Sequence, residues 1–466
     1  MLRNAIVPKF LVVCCGLGLA ASESVFAQDA LTQNANEAAR KQIVVEFGLD
    51  EALRVAAETS KDLAKNNLDL KLVDAQAKSA RASFLPTLRA SSVAGTTHIP
   101  ENPDPYLNSG QTLPDTRGEN TGDVNFYQIE ATLTQNLFAG FSQVALWDGV
   151  SLQRQLQEVA RENILRSLAQ NVFEAYLKHL YLREQLDASQ QVLVLRRKRL
   201  AEISVRERVG RSTALDFMQA QLDINQQEVE LLQLQSDIDK SNSDIMRLLG
   251  QPINRIFSPK DNLQIIFTSS GPLPPLDEAY TKIINKHPAL QEVALNIRIA
   301  ELQYQSQNGH NLPSVDFTLE VVNKANRRAD VGATNRTNYS GQVKVEIPIF
   351  TGLSSFAEKE QYIVRKESLA IERQQRLDTL FKQLETVYED FRVADATLAR
   401  DEANVKLADA STQRAELLFN AGRASNNDVL EQYTRKLKAL YQLAGTRYKR
   451  ALAKASGKIL IQGVYL

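Results

Sequence analysis

Asp428 and Glu431 stand three residues apart in the stretch "FNAGRASNNDVLE", where the spacing of apolar residues is helical, so both carboxylates fall on one helix face. Paired carboxylates can act as general acid and base, as in glycoside hydrolysis, or can gather cations. An earlier stretch, "ERVGRSTALDFMQ", repeats the arrangement 212 positions before: Gly210, Arg211 and Asp216 match Gly422, Arg423 and Asp428, but Gln219 replaces the second acid. Each copy reads as a helix ended by a left-handed glycine. A capping box then opens the next helix, with Thr213 and Asp216 in the first copy and Ser425 and Asp428 in the second. Such a joint is a helical hairpin and offers no sugar cleft. Capping explains Asp216 and Asp428 equally; it does not explain Glu431.

Little else in the chain suggests catalysis. The four histidines, His98, His179, His287 and His310, are scattered without metal-ligand spacing. No Gly-rich phosphate loop follows a strand. The 466 residues carry 55 Lys and Arg against 55 Asp and Glu, so net charge is zero and gives no electrostatic case for nucleic acid. No cofactor is implied.

Residues 1–27 read as a signal peptide: Arg3 and Lys9 precede the apolar run "FLVVCCGLGLAA", and "VFA" suits cleavage after Ala27. Both cysteines, Cys14 and Cys15, lie inside that segment, so the mature chain has no thiol. A rival reading makes one of them the lipidated residue of a lipoprotein signal, although Val13 is not the small residue that such a site prefers. After Gln28 there is no run of 18 apolar residues. An exported chain of this kind can cross a membrane only as a β-barrel.

The elements around the hairpins are duplicated. "LDEALRVAAE" at 49–58 returns as "LDEAYTKIIN" at 276–285, "FLPTL" at 84–88 as "NLPSV" at 311–315, and "NLFAGFS" at 136–142 as "PIFTGLS" at 348–354. The first copy carries a longer Pro- and Gly-rich loop, "HIPENPDPYLNSGQTLPDTRGENTGD". Residues 143–209 contain one glycine and no proline, and 353–421 contain neither. As helices each would run roughly 100 Å, too long for a globular domain and suited to a tall wall. Further helices are predicted over about 50–85, 213–249, 277–311 and 425–457. Strands are predicted over about 87–97, 125–138, 313–323 and 340–350. Apolar Tyr127, Ile129, Leu133, Val315, Phe317, Leu319, Val343, Val345, Ile347 and Ile349 alternate there with polar residues, as in a barrel with lipid outside and water inside. The aromatics Phe126, Tyr127, Phe138, Phe141, Tyr339, Phe350 and Phe356 cluster at strand ends as interfacial girdles do. A soluble sheet with one wet face alternates in the same way; the signal peptide and the long helices favour the membrane. Four strands cannot close a barrel, so the chain must oligomerise, and three copies give twelve strands.

Taken in order and twice over, "NLFAG"/"PIFTG", Leu85-Pro86 and Leu312-Pro313, and "VGRSTALD"/"AGRASNNDVL" resemble the TolC-like outer-membrane channel family across about 45–460. The resemblance implies a mainly α fold with a membrane β-barrel: a homotrimer with a twelve-stranded barrel in outer-membrane lipid and an α-helical tunnel through the periplasm of a Gram-negative bacterium. It divides the chain into the signal peptide, an N-terminal periplasmic segment 28–48, repeats at 49–250 and 276–458, an equatorial linker 251–275 and a tail 459–466. The Pro-rich stretch 250–285 would build the mid-tunnel collar.

The implied function is an exit duct of a tripartite efflux or type I secretion machine, completed by a periplasmic adaptor and an inner-membrane pump of RND or ABC type. The implied docking tips are Gly210, Arg211, Ser212 and Thr213 with Gly422, Arg423 and Ser425, and Asp428 and Glu431 would line the tunnel entrance. Where some members latch that entrance with a tyrosine-like aromatic and an arginine, this chain has Phe419 and Ala424, with Arg423 one residue earlier. The competing reading is a periplasmic coiled-coil adaptor without a pore; adaptors usually have one hairpin flanked by compact β-domains.

Overall fold

The computed structural model describes residues 44–99, 122–262, 272–328 and 332–463. The signal peptide, most of segment 28–48 and most of the loop in the first copy lie outside the described residues.

The first copy runs β1 (Val44–Phe47), α1 (Leu49–Thr59), α2 (Lys61–Ala82), β2 (Thr87–Ile99), β3 (Gly122–Ala139), α3 (Ser142–Arg208) and α4 (Ala214–Leu248). After β4 (Ile256–Pro259) the second runs α5 (Leu276–Lys286), α6 (Pro288–Gly309), β5 (Ser314–Arg328), β6 (Gly332–Glu346), α7 (Ser354–Asn420) and α8 (Asn426–Gln462). Both long helices have 67 residues, about 100 Å each at 1.5 Å per residue.

Several boundaries differ from the sequence reading. The single helix expected over about 50–85 is two, because Ser60 turns extended and its side chain accepts from the Leu63 amide to open α2. The counterpart breaks at His287, with Pro288 at the first helical turn, where its missing N–H costs nothing. α8 continues to Gln462, so residues 459–462 of the expected tail are helical. The last strand begins at Gly332 and stops at Glu346. Pro348, which has no N–H for a ladder, follows, and Ile347, Ile349 and Phe350 are left exposed beyond the strand. β1 pairs in parallel with β4, tying the N-terminal segment to the linker.

The four long strands form an antiparallel sheet in the order β2-β3-β5-β6. Direct partners share a face, so the register sorts the residues. One face carries Leu88, Ala131, Leu133, Val321, Leu319, Phe317, Tyr339, Val343 and Val345. The other carries Arg89, Glu130, Thr132, Asp316, Glu320, Lys324, Arg336 and Lys344. From Val315 to Val321 the apolar band is about 20 Å tall, close to the lipid-facing band of an outer-membrane barrel. Phe126, expected in the girdle, falls on the polar face, where its ring lies over Gly95; a Cβ there would stand 2.8 Å from the ring. The ladder slips between Asn136 and Phe138, so Leu137 is a bulge residue as the strand bends towards its helix.

Strand-to-helix passages repeat a left-handed pair: Gly140 and Phe141 at φ 56° and 64°, Gly352 and Leu353 at 65° and 68°. In the first copy the turn presses on the end of α6, since a Cβ on Gly140 would stand 2.1 Å from the Gly309 carbonyl oxygen.

Below the sheet the helices make a wall. α3 packs on α2 and α6 in its upper half and on α4 and α8 in its lower half, while α7 packs on α6 and α8. The short helices thus stack end to end beside the long ones. Asn163 of α3 bonds Glu292 near the start of α6, and one turn on Arg166 donates to the Ile459 and Leu460 carbonyls at the end of α8. In the first copy the equivalent joint is sealed by Thr59 Oγ1 donating to the Leu249 carbonyl. Here the apolar residues concentrate: Leu53, Val172, Tyr176, Leu177, Met246, Leu249 and Phe257 in one cluster, Ile283, Leu290, Leu380 and Leu384 in another.

Candidate functional site: the paired hairpin tips

The joints differ little from one another, as their sequences demand. At the end of α3, Gly210 sits at φ 71°, its N–H reaches the Glu207 carbonyl, and the Arg211 N–H reaches Arg206. At the end of α7, Gly422 sits at φ 70°, with the same bonds from Gly422 to Phe419 and from Arg423 to Leu418. These are Schellman closures, which satisfy carbonyls that a helix end leaves open.

Both capping boxes form. The Thr213 amide and hydroxyl donate to Asp216 Oδ2 at 3.0 and 2.7 Å, and the Asp216 amide returns a bond to Thr213 Oγ1 at 3.1 Å. Ser212 adds a third donor to that carboxylate. The Ser425 amide and hydroxyl donate to Asp428 Oδ2 at 2.7 and 2.8 Å, and the Asp428 amide reaches Ser425 Oγ at 3.2 Å. Bonds from the capping residues' backbone and then their hydroxyls stabilise the charged forms and hold both carboxyls below the usual range. Asp428 is therefore an exposed, ionised carboxylate fixed in direction. Glu431, also exposed, is one turn further and accepts from Arg435 at 2.6 Å.

The structure brings the two joints side by side around Phe419, through Arg199, Arg206 and Asn426, which the sequence reading did not single out. Arg199 of α3 is 2% exposed. Its guanidinium carbon lies 3.2 Å from the Phe419 ring centre, Nε donates to Asn426 Oδ1 at 3.1 Å, and Nη1 meets Glu202 at 3.3 Å. Burial pulls its pKa down, and Glu202 opposes that shift. Arg206 lies 4.3 Å from the same ring centre and donates to Asn420. Asn426, 3% exposed, donates to the Asp216 carbonyl at 3.4 Å. Phe419 thus has no phenol to offer, but its ring takes two cations from the first hairpin. Behind it, Val192, Ala415, Val429, Leu430, Tyr433 and Leu437 form an apolar core, and Tyr433 donates to Glu416 at 2.7 Å. Two arginines and an asparagine some 200 residues from their partners leave no local signal; only the pairing of the repeats could have suggested them. Arg211 and Arg423 remain exposed on the two tips.

Among the described residues no group of three or more His, Cys, Asp and Glu could hold a metal ion, and no helix is long and apolar enough to cross a membrane. The tips offer a directed surface rather than a reaction centre.

The family model for outer membrane efflux proteins matches residues 52–251 and 279–456, one segment in each repeat and together most of the chain. The chain belongs to that family. It is an outer-membrane protein of a non-enzymatic channel family whose members carry a periplasmic tunnel. Outer membrane protein OprJ of Pseudomonas aeruginosa is 22% identical over 386 residues, covering 81% of this chain and 75% of the relative. The cation efflux system protein CusC of Escherichia coli K12 is 20% identical over 394 residues, covering 78% and 77%. Among solved structures, the outer-membrane channel OprN superposes with a TM-score of 0.76 at 14% identity, covering 89% and 90%, and VceC of Vibrio cholerae with 0.70 at 15%, covering 89% and 96%. These likenesses establish the fold.

Proposed function

We propose that three copies assemble into a twelve-stranded barrel above a closed helical tunnel, and that the assembly is the passive exit duct of a tripartite efflux machine. The observation that carries this reading is a contact present once where the duplication calls for it twice. α3 packs on α6 and α8 of the second copy, but α7 has no α2 or α4 beyond it. The helices left without a neighbour carry exposed apolar side chains: Leu68 and Leu72 on α2, Leu215, Met218, Leu222, Val229 and Leu232 on α4, Ile371, Val393, Leu407 and Leu417 on α7. A neighbouring copy supplies the missing contact and joins β6 to its β2, which removes both sheet edges.

In that ring six hairpin tips face the periplasm. The exposed turns Gly210–Thr213 and Gly422–Ser425 receive the adaptor, and an inner-membrane pump supplies the energy. Asp428 and Glu431 of three chains gather six carboxylates at the entrance, where they favour cations. Efflux is preferred over protein secretion because relatives such as CusC are named for it.

The test is planar-bilayer conductance of purified mature protein beside an Asp428→Asn/Glu431→Gln double variant, with the detergent-solubilised mass measured in parallel. Trimers with cation-preferring channels, weakened in preference in the variant, are expected. Monomers that make no channel would remove the duct reading. Equal selectivity in both proteins would return the two acids to capping and ion pairing.

A further inference from the structure

The polar face of the sheet does not treat its charges alike from end to end. At the lower end the register sets opposite charges together: Asp316 faces Lys344, Asp316 accepts from Asn136 at 2.7 Å, and Lys344 pairs with Glu346. Eight residues along β5 the pattern inverts. Lys324 and Arg336 are direct cross-strand partners, with Gln128 on the next strand and Val93 beyond it, so no acid stands at that level. Both side chains are exposed, and neither forms an ion pair among the described residues. The nearest acids are held by neutral donors: Glu130 accepts from Gln128 and Thr132, and Glu320 accepts from Ser340. Like charges directly opposite weaken a sheet, so this wall carries a cost at its outer end that it avoids at its lower end.

We propose that Lys324 and Arg336 form a binding site for multivalent anions in the outer mouth of the barrel. Its lumenal placement rests on the duct reading above. The two residues share their face with Asp316 and Glu320 and lie opposite the face of Val321, Tyr339 and Val343, so they look into the channel and not at lipid. Three copies set six cations around one opening. An anion with several charged oxygens can engage more than one of them, with the guanidinium taking two oxygens and the ammonium one. A single charge in so wet a place would bind weakly. Phosphate is the chemistry that fits; a free polyphosphate-like anion is the committed ligand, and a lipid phosphate is the outcome to be separated from it.

The experiment uses full mature protein in detergent, titrated calorimetrically with inorganic tripolyphosphate at low salt. Saturable binding is expected. It should weaken at least about tenfold in Lys324→Gln/Arg336→Gln, weaken with added salt, and stay unchanged in Asp428→Asn/Glu431→Gln. In planar bilayers, tripolyphosphate on the barrel side should reduce the current of the parent and leave the Lys324→Gln/Arg336→Gln channel open. No binding by the parent at millimolar tripolyphosphate, or equal binding by the cation-free variant, overturns the site. Binding without any effect on current in channels that conduct places the cations on the lipid side and overturns the lumenal assignment. A parent that binds but never conducts counts against the duct and leaves the site standing.

Discussion

Arg199 holds Phe419 from across the two halves of the chain, its guanidinium 3.2 Å from the ring centre. Because Arg199 is on α3 and Phe419 ends α7, the contact fixes the second hairpin against the first. A cation–π contact out of water is worth about 2 kcal/mol. Phe419→Leu keeps the apolar bulk and loses the ring. Amide exchange over 415–430 should then accelerate more than about tenfold, with the strands of the four-stranded sheet unaffected. Phe419→Tyr should keep the protection. Unchanged exchange in the leucine variant would mean that the Asn426 bond alone suffices.

Capping and charge can be separated at Asp428. Ser425→Ala removes the hydroxyl that bonds both the Asp428 amide and its carboxylate, at a cost of about 1 kcal/mol. The carboxyl pKa should rise towards its ordinary value, yet the group stays ionised at neutral pH. Ser425→Ala should thus lower the melting temperature while cation preference in bilayers survives. Asp428→Asn should weaken that preference. If both variants behave alike in selectivity, the charge of Asp428 has no part in the proposed entrance.

Gly422→Ala and Gly210→Ala should cost the same, about 1–2 kcal/mol. Both glycines have φ near 70°, and a Cβ on either would meet nothing within 4 Å, so only backbone strain is charged. Gly140→Ala should be far worse, since its Cβ would meet the Gly309 carbonyl. Denaturant midpoints of the three variants check the ranking.

Two buried histidines predict an acid limb. Burial first, then the nearby cations Arg183 and Arg166, push His179 and His287 down to about 4 from 6.5. Between those values the unfolded chain binds the extra proton, so stability is full above pH 6.5 and falls as pH drops towards 4. Each ring should cost about 2 kcal/mol at pH 5. His179→Gln should flatten the fall in melting temperature between pH 7 and pH 5. An unchanged slope would show that this ring is not held neutral.

The legible parts of the molecule are those with local rules. Glycine-free amphipathic runs, alternation in Tyr127–Leu133 and Val315–Leu319, and the [ST]-x-x-D boxes all act within a few residues. The upper half of β6 has no such signal: Gly332 to Asn338 is polar or small on both faces and is a strand because β5 pairs with it. The break at Ser60 hides among good helix formers. The tip cluster of Arg199, Arg206, Phe419 and Asn426 depends on packing one repeat against the other, which no window along the chain contains.

Both long helices span 67 residues, although the repeats around them have diverged in sequence and in loop length. A ruler shared by two members constrains how the protein can change. An insertion in α3 alone would slide its tip past that of α7 and pull Arg199 away from Phe419, whereas a matched insertion in both would lengthen the wall and leave the tips level. Variants of different height should therefore be reachable only by paired steps of whole helical repeats, and the length of the helical wall is inherited in such increments.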